Sequence, residues 1–591
     1  MHIYDKIERE VQQHTLKERL LDEMEKLKTR FVPGNRPLNQ HPTPQFCRSS
    51  YLNLNGTWDY GSAPLGKAIA YDRKILVPFS PESDLSGVGE ILTPEMHASY
   101  RLVFDLPEGF NRGRYILHFG AVDEVAEVLL NGTTLCTHEG GNLPFQVEVT
   151  EPIRAKGNEL IVNVQDSIGK TGLGYGKQKL DRGGIWYTPH SGIWQTVWLE
   201  TVPEEFIRSV QITPHLENNT VTLRVNAPRD VEVTLLRGTF AFAYGKTANG
   251  SLTLNVPSPR LWTPEDPFLY DIQLKMGADE VKSYFAMRSF GQTVYGGKHV
   301  FALNGKPYFL CGLLDQGYYP DGLFTPPSDE AMINDIEVTK KMGFNMLRKH
   351  IKVEPDRWYY HCDRLGVIVI QDMVNGGDNL PMRNLVLPFV GIHLNDTKNY
   401  KKAGREDAGN RRRAENEMIQ TVEWLYNHPS IAVYTVFNEG WGQFDSARIT
   451  KSLAAIDSTR LYDSTSGWHD QGAGQFQSRH IYFKSLMNAK ADGARILSLS
   501  ECGGFGYAVE GHTTGSTFGY TVCPTTDKLL EKLTKLFAEA NALIAKEGLS
   551  VLVYTQLTDV EDEVNGLMTY DRQEKLPAST LRALTGMLKF K

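Results

Sequence analysis

Two glutamates, each at the end of a short apolar segment and each followed closely by glycine, are the residues of this sequence best suited to chemistry. Asn438-Glu439 ends the segment IAVYTVF at 431–437, and Glu501 ends the segment ILSLS at 496–500. A pair of carboxyl groups, one protonated and one ionised, is the minimum set for hydrolysis of a glycosidic bond. Taken singly each motif is weak, because glycine after an acidic residue often marks only a turn. Their meaning depends on the elements that would bring them together.

Those elements predict a C-terminal (β/α)8 barrel, because short buried strands alternate with amphipathic helices from about residue 295 onward. In such a barrel the chemistry lies at the carboxyl ends of the strands, so Glu439 after strand four and Glu501 after strand seven would face one opening. The predicted helices include SDEAMINDIEVTKKMG with Ser328 as its N-cap, PDRWYYHCDRLG, and 413–427. The predicted strands are 307–314, 344–349, 367–372, 431–437, 461–465, 480–483, 496–500 and 551–556.

The region before the barrel predicts two β-sandwich domains in a multidomain chain. Short alternating strands bounded by turn residues over 45–200 are typical of a jelly-roll domain, and Asn131-Gly132 is a hairpin signal within it. Six or seven short strands over 204–292 predict an immunoglobulin-like sandwich. Helical spacing over 4–29 predicts a charged N-terminal helix. The expected domains are an N-terminal helical extension, a jelly-roll domain, an immunoglobulin-like sandwich and a barrel, at 1–40, 41–203, 204–294 and 295–591.

The bulk composition excludes several classes of protein. The chain of 591 residues is too long for one core, and its net charge of −7 argues against nucleic-acid binding. Six scattered cysteines form no CxxC pair, and the histidines lack ligand spacing, so we expect no metal and no cofactor. The charged N-terminus has no apolar h-region, and no apolar run approaches the roughly 20 residues of a membrane helix. We therefore expect a soluble, cytoplasmic protein without a membrane partner.

Several other side chains are expected near the two carboxyl groups. Arg348, at the end of strand two, and Tyr482, after strand six, are candidates to hold the ionised carboxylate, although Arg348 could equally form a structural ion pair and Tyr482 could be a core aromatic residue. Sugar contacts are expected from residues that follow other strands or flank the acid; these are Trp441, Trp468, His469 and Asp315.

Longer motifs resemble glycoside hydrolase family 2, the family of β-galactosidases, β-glucuronidases and β-mannosidases. The motifs are RSSYLNLNGTWDY (48–60), VPFSPES (77–83), SGIWQTVWLE (191–200), FALNGKPYFLCGL (301–313), NHPSIAVYTVFNEG (427–440) and LSLSECGG (497–504). The resemblance implies that Glu439 is the general acid/base, that Asn438 binds the sugar 2-hydroxyl, and that Glu501 is the nucleophile. It also implies that His350 lines the pocket. A retaining double displacement would require the two carboxyl groups to lie about 5–5.5 Å apart.

The glycone-binding motifs depart from the family pattern. The Asn-x-Lys element with which the β-glucuronidases of the family hold the sugar carboxylate is absent from 563–575, and Met373 stands where an acid is usual. We expect an exo-acting, β-galactosidase-like retaining hydrolase acting on a carbohydrate substrate, with a loop at 374–412 over the barrel mouth. The alternatives are the same mechanism on an arabinose, mannose or galacturonate-type glycone, or a non-catalytic carbohydrate-binding protein. Homo-oligomerisation is possible, for instance through the N-terminal helix.

Overall fold

The computed structural model describes residues 27–169, 171–377, 393–398 and 400–590. Most of the predicted N-terminal helix, at 4–29, lies outside the described residues, as does the centre of the predicted mouth loop at 374–412. Residues 27–40 are described and contain neither helix nor strand. They run along the surface of the other domains, where Thr29 donates its backbone N–H and its hydroxyl to Asp321.

The first domain is the predicted β-sandwich, made of two antiparallel sheets. Along Asn158–Gln165 buried and partly exposed side chains alternate, which is the period of a strand with one face in a core. Asn131 and Gly132 have φ values of 52° and 83° and form the predicted hairpin turn, since a type I′ turn requires two positive φ angles. One sheet contains Tyr51–Asn53, Val197–Val202, Arg114–Phe119 and Phe145–Glu148; the other contains Arg73–Val77, Gly56–Pro64, Met96–Phe104, Asn158–Gln165, Val125–Leu130 and Thr133–Glu139.

The second domain is a smaller antiparallel sandwich over the predicted immunoglobulin-like region. Its sheets consist of Ser209–His215, Thr220–Asn226 and Ser251–Asn255, and of Phe240–Lys246, Glu232–Arg237, Tyr270–Met276 and Asp279–Phe285. A short sheet of Phe290–Tyr295, Lys298–Leu303 and Lys306–Pro307 follows. The predicted domain boundary at 294 therefore falls inside a strand. Phe301 and Leu303 of this sheet pack with the inner side chains of the barrel and close its lower end.

The third domain is a barrel of eight parallel strands, as predicted. The strands are β1 (Leu310–Asp315), β2 (Met346–Lys349), β3 (Ile368–Asp372), β4 (Ile431–Asn438), β5 (Leu461–Ser466), β6 (Phe476–Ile481), β7 (Ile496–Gly503) and β8 (Val551–Thr555). Ladders connect them in the order β5-β4-β3-β2-β1-β8-β7-β6. Just before β6, Gly474 forms an isolated antiparallel bridge with Asp463 of β5, beside a hydrogen bond from Gln475 N to Tyr462 O of 2.9 Å.

The helices around the barrel follow the predicted alternation except on one side. Ser328 caps α1 by accepting the Ala331 N–H, as its sequence predicts. Residues 467–475 join β5 to β6 without a helix, and only the 3₁₀ turn Leu486–Asn488 lies between β6 and β7. The α-helices of the described part of the barrel are α1 (Asp329–Lys341), α2 (Asp356–Leu365), α3 (Ala408–Leu425), α4 (Ser446–Ile456), α5 (Thr526–Glu547) and α6 (Ala578–Thr585).

Alternation along the barrel strands decides which side chains face the axis. In β2, Met346 joins the inner core and Leu347 the outer core, so Arg348 points inward and Lys349 outward. In β1, Leu313 packs outward and Leu314 inward, so Asp315 points outward. The inner apolar core fills the lower part of the barrel, and polar side chains occupy the carboxyl ends of the strands.

Candidate active site

The two predicted carboxylates meet at the carboxyl end of the barrel. Glu439 follows β4 directly, and Glu501 lies within β7, which continues to Gly503 rather than ending at residue 500. One oxygen of each carboxylate and Nδ1 of His480 all lie within 4.8 Å of one another. The fold therefore brings together two acids that are remote in the sequence.

Glu501 is buried among cationic and hydrogen-bonding groups. Arg348 Nη1 donates to Glu501 Oε1 at 3.1 Å, and the Tyr482 hydroxyl donates to Glu501 Oε2. His480 Nδ1 lies 3.5 Å from Oε2. Burial alone would raise the pKa of Glu501, but the charges of His480 and Arg348 outweigh it and lower the pKa to about 2. Glu501 is therefore ionised at neutral pH, as a nucleophile must be.

Arg348 connects the nucleophile to the neighbouring strands. Its guanidinium donates to Asp372 Oδ1 at 2.9 Å, to Asn438 Oδ1 at 2.9 Å and to the Ser500 carbonyl at 2.9 Å. Asp372 also accepts from Nδ1 of His350, with 2.7 Å between the atoms. Burial lowers the pKa of His350 to about 4, so its ring is neutral at neutral pH. Because the rigid, planar guanidinium group of Arg348 makes four hydrogen bonds, it orients both Glu501 and Asn438.

Glu439 has a different environment at the rim of the mouth. Its side chain is 18% exposed, compared with 5% for Glu501. Its Oε1 lies 2.7 Å from Nδ1 of His480, whose Nε2 lies 2.9 Å from the Ser466 hydroxyl. The imidazole can donate to an ionised Glu439 or accept from a protonated one, depending on its tautomer. Glu439 can therefore hold or release a proton while keeping one hydrogen-bond partner.

Glycines beside the acids permit close packing. Glu439 has φ of 54° and Gly440 has φ of 74°, so the chain turns sharply out of β4. A Cβ on Gly440 would overlap the ring of His469. A Cβ on Gly504 would stand 2.5 Å from the Tyr520 ring, which stacks on Tyr482 with 3.8 Å between centroids. The glycines thus let aromatic side chains close around the carboxylates.

The first domain contributes a loop to the mouth. Tyr175 and Trp186 meet Trp441 edge to face, with ring centroids 5.5 and 5.3 Å apart. The backbone N–H groups of Tyr175 and Gly176 donate to Asn375 O at 3.1 and 3.0 Å. Trp441, next to the acid, is therefore part of an aromatic wall shared by two domains. On the opposite side Trp468 is partly exposed, with its ring centroid 6.0 Å from that of His480.

Two of the predicted contact residues lie away from the carboxylate pair. Asp315 points outward from β1, where its carboxylate accepts from Lys349 Nζ at 2.7 Å and from Gly317 N at 2.9 Å. His469 is 1% exposed, and its Nδ1 accepts the Leu394 N–H at 3.1 Å. Both side chains support the loops around the mouth rather than line it. His350, Asn438, Arg348, Tyr482, Trp441 and Trp468 lie at or beside the mouth.

Two side chains of the site are not among the residues that the sequence predicts for it. His480 is predicted as the first residue of strand six, whereas β6 spans Phe476–Ile481 and places it near the carboxyl end. Asp372 is predicted only as the end of strand three, although an inward carboxylate beside Arg348 is a strong ion-pair signal.

The cluster of Glu439, His480 and Glu501 has the spacing of a possible metal site. Arg348 and Tyr482 already donate to the Glu501 oxygens, and a cation there would have to compete with the guanidinium charge. The donor set therefore suits an ionised nucleophile better than a bound metal ion.

Three family models match the chain. They are described as "Glycosyl hydrolase 2 galactose-binding domain-like" over 91–183, "Glycosyl hydrolases family 2" over 205–288 and "Glycosyl hydrolases family 2, TIM barrel domain" over 298–492. The fold and the paired carboxylates define a sandwich-and-barrel protein of the glycoside hydrolase type. The chain belongs to glycoside hydrolase family 2, and the predicted family and fold class are confirmed.

Individual relatives are distant and carry different names. The chain is 27% identical over 350 residues to a putative β-glucuronidase of Formosa agariphila, covering 56% of this chain and 38% of the relative. It is 24% identical over 463 residues to a β-galactosidase of Halalkalibacterium halodurans, covering 73% and 40%. The chain thus spans about two fifths of the length of these two curated relatives.

Solved structures share the fold across almost the whole chain. The β-D-glucuronidase of Dictyoglomus thermophilum has a TM-score of 0.72 at 17% identity, covering 91% of this chain and 97% of that one. The β-galacturonidase of Eisenbergiella tayi bound to galacturonate has a TM-score of 0.69 at 18% identity, with the same two coverages. Among the described residues, none of the helices is long and apolar enough to cross a membrane.

Proposed function

We propose that the protein is a retaining exo-glycosidase that removes a terminal non-reducing sugar from a β-glycoside. The observation that carries this proposal is the placement of Glu439 and Glu501, whose nearest oxygens lie within 4.8 Å in contrasting surroundings. Retaining enzymes have carboxyl groups about 5–5.5 Å apart, whereas inverting enzymes need about 6.5–9.5 Å to admit a water molecule. The close approach of the two carboxylates therefore supports a retaining reaction.

The mechanism follows from the two environments. Glu501, ionised beside Arg348, attacks the anomeric carbon while Glu439 gives its proton to the departing glycosidic oxygen. A glycosyl ester on Glu501 forms and the aglycone leaves as an alcohol. Glu439, now ionised, takes a proton from water, whose oxygen attacks the same carbon and releases Glu501 as a carboxylate. The sugar keeps its anomeric configuration because the carbon is inverted twice.

Neighbouring side chains have separate parts in this cycle. Asn438 has its Oδ1 bound to Arg348, so its amide NH₂ is the group that would donate to a sugar 2-hydroxyl. Tyr482 and Arg348 stabilise the Glu501 carboxylate each time it is released. The neutral ring of His350 offers a further polar contact to a sugar hydroxyl. These side chains position the substrate and stabilise the charge of the Glu501 carboxylate. The reaction involves no redox step.

For the glycone we propose a galactose-type sugar, with an arabinose, mannose or galacturonate-type sugar as the alternatives. The absence of an Asn-x-Lys element supports this choice over glucuronate, since Leu567 is buried where that element would place its lysine. The curated relatives carry two kinds of name: some are named β-galactosidases and others β-glucuronidases.

A panel of 4-nitrophenyl β-glycosides tests the proposal. The wild type should hydrolyse one or more of them with retention, seen by NMR as the first-formed anomer of the product. Both Glu439→Gln and Glu501→Gln should lose at least about 10³-fold in kcat, because each removes a group that acts in the transition state. Glu531→Gln, an exposed glutamate on α5, is the matched control and should match the wild type.

Chemical rescue separates the two roles. Azide should restore turnover to Glu501→Ala with an α-glycosyl azide as product, and to Glu439→Ala with a β-glycosyl azide. A first-formed product of inverted configuration in the wild type would refute the double displacement. Sugar binding without turnover on any glycoside would instead favour a carbohydrate-binding protein.

A further inference from the structure

Lys177, supplied to the barrel mouth by the first domain, is a charged group that the catalytic cycle does not use. The loop that carries it is bound to the barrel just before the lysine and to its own domain at the lysine. Gly176 N donates to Asn375 O at 3.0 Å, and Lys177 O accepts from Tyr187 N at 2.9 Å. A Cβ on Gly176 would stand 3.2 Å from Ile351 O, so Lys177 begins beside the residue that follows His350.

The charge of Lys177 reaches the catalytic groups. Its Nζ lies 5.7 Å from the centroid of the Tyr187 ring, whose hydroxyl donates to Glu563 in the segment after β8. Its positive charge lowers the pKa of His350, more than any other neighbouring charge does, and contributes to the low pKa of Glu501. Because Gly176 lies against Ile351 O and is bound to Asn375 O, the loop itself places Lys177 beside His350 at the mouth, and the effect of its charge agrees with that placement.

No carboxylate of the described chain neutralises this lysine. Arg348, the other cation at the mouth, is occupied by four hydrogen bonds, whereas no acidic oxygen lies within 4.0 Å of Lys177 Nζ in the described part of the chain. The side chain of Lys177 is partly buried. A cation in such a place gains most from an anionic ligand that reaches the same space.

Other polar groups after the last barrel strand are already engaged by protein partners. Asn565 is bound to Gln556 and Glu563, with 2.9 Å for each hydrogen bond, and Glu563 also accepts from Tyr187. Lys575 is buried in an ion pair with Asp559 at 2.7 Å. These groups are therefore less suited than Lys177 to bind an anionic substituent of the substrate.

We propose that Lys177 is a specificity-determining residue that binds an anionic substituent, a carboxylate or a sulfate ester, on the sugar that enters the active site. The inference rests on the proposed glycosidase function and narrows its substrate class to acidic glycosides. The neutral His350 beside it would accept a hydroxyl group of the same sugar. Specificity would then come from a domain outside the barrel.

The test compares Lys177→Met and Lys177→Arg with the wild type on 4-nitrophenyl β-glycosides. In each of the galacto and gluco series, three substrates are used: the neutral sugar, its 6-carboxylate and its 6-O-sulfate. The wild type should prefer one of the anionic sugars. Lys177→Met should lower kcat/KM for that substrate at least tenfold, equivalent to about 1.4 kcal/mol, and change the neutral substrate less than twofold. Lys177→Arg should retain most of the preference for the anionic substrate over the neutral one. The anionic substrate that the wild type prefers shows whether the substituent bound by Lys177 is a carboxylate or a sulfate ester.

Lys156→Met, an exposed lysine of the same domain, is the matched control and should leave all values unchanged. An equal loss on neutral and anionic substrates, or hydrolysis of neutral sugars alone by the wild type, would overturn the role of Lys177 while leaving the proposed function intact. Failure of the wild type to hydrolyse any glycoside would overturn both.

Discussion

Replacement of Tyr482 by phenylalanine isolates one hydrogen bond to the nucleophile. The tyrosine ring stacks on Tyr520 with an interplanar angle of 8°, and phenylalanine preserves that packing. What disappears is the hydroxyl that donates to Glu501 Oε2. A hydrogen bond to a charged group contributes about 1.5–3 kcal/mol. Since the bond favours the ionised form, its loss should raise the pKa of Glu501 from about 2 toward about 3–4.

The same loss should act unequally on the two chemical steps. In the glycosyl-enzyme Glu501 is an uncharged ester, and its carboxylate must be released when water attacks. Without Tyr482 that release is less favourable, so we expect deglycosylation to slow by about 10–100-fold. Formation of the ester should change little, because the less stabilised carboxylate is the better nucleophile. The covalent intermediate should therefore accumulate.

Stopped-flow hydrolysis of a dinitrophenyl glycoside measures both effects. Tyr482→Phe should show a burst of dinitrophenol equal to the enzyme concentration, a lower KM and an acid limb of kcat/KM moved to higher pH. Tyr71→Phe, which removes a hydroxyl bound to Ser99 in the first domain at 2.8 Å, should behave as the wild type. A lower kcat without a burst and with an unmoved acid limb would refute the reasoning, because the hydroxyl would then not act on the Glu501 charge.

Two further predictions concern buried carboxylates. Asp372→Asn should lower kcat/KM about 10²-fold in steady-state assays, since Arg348 and His350 lose their shared anchor, and should lower thermal stability, since it removes the charge of one partner of a buried ion pair; full activity would show that neither side chain needs the anchor. His428 lies between Asp356 and Asp363, and these carboxylates outweigh the effect of burial and raise its pKa to about 9. The contribution of His428 to the free energy of unfolding should be complete below about pH 6.5. It should decline as the pH rises through about 9, by up to about 3 kcal/mol in total. Thermal unfolding at pH 7 and pH 10 should show a smaller pH effect in His428→Asn than in the wild type, and equal effects would contradict the linkage.

The barrel and its two acids could be predicted because their signals are local. Each strand is a short apolar segment, and the place of Glu439 and Glu501 follows from where those segments end. Arg348 could be assigned to the mouth because the inward positions of β2 alternate with outward ones. Such features depend on the chain within a few residues of the site.

The features of the site that could not be predicted depend on contacts between segments that are distant in the sequence. The start of β6 lies at Phe476, four residues before the predicted start at His480, because the short connection from β5 lacks the helix that marks the other strands. That difference hid His480, which bridges the two glutamates. The outward direction of Asp315 and the burial of His469 depend on which neighbours pack against each loop. Lys177 comes from a separate domain, so only the assembled structure shows its proximity.

The different surroundings of the two glutamates follow from where their strands end. β7 continues to Gly503, so Glu501 is held within a strand, and its side chain lies beneath the rim beside the inward Arg348. β4 stops at Asn438, and Glu439 adopts a positive φ outside the strand, which lifts its side chain toward solvent. A buried carboxylate beside a fixed guanidinium stays ionised, whereas a rim carboxylate beside an imidazole can exchange protons with water. The backbone that carries each glutamate therefore gives two residues of one chemical type contrasting surroundings, and the proposed division into acid and nucleophile rests on that contrast.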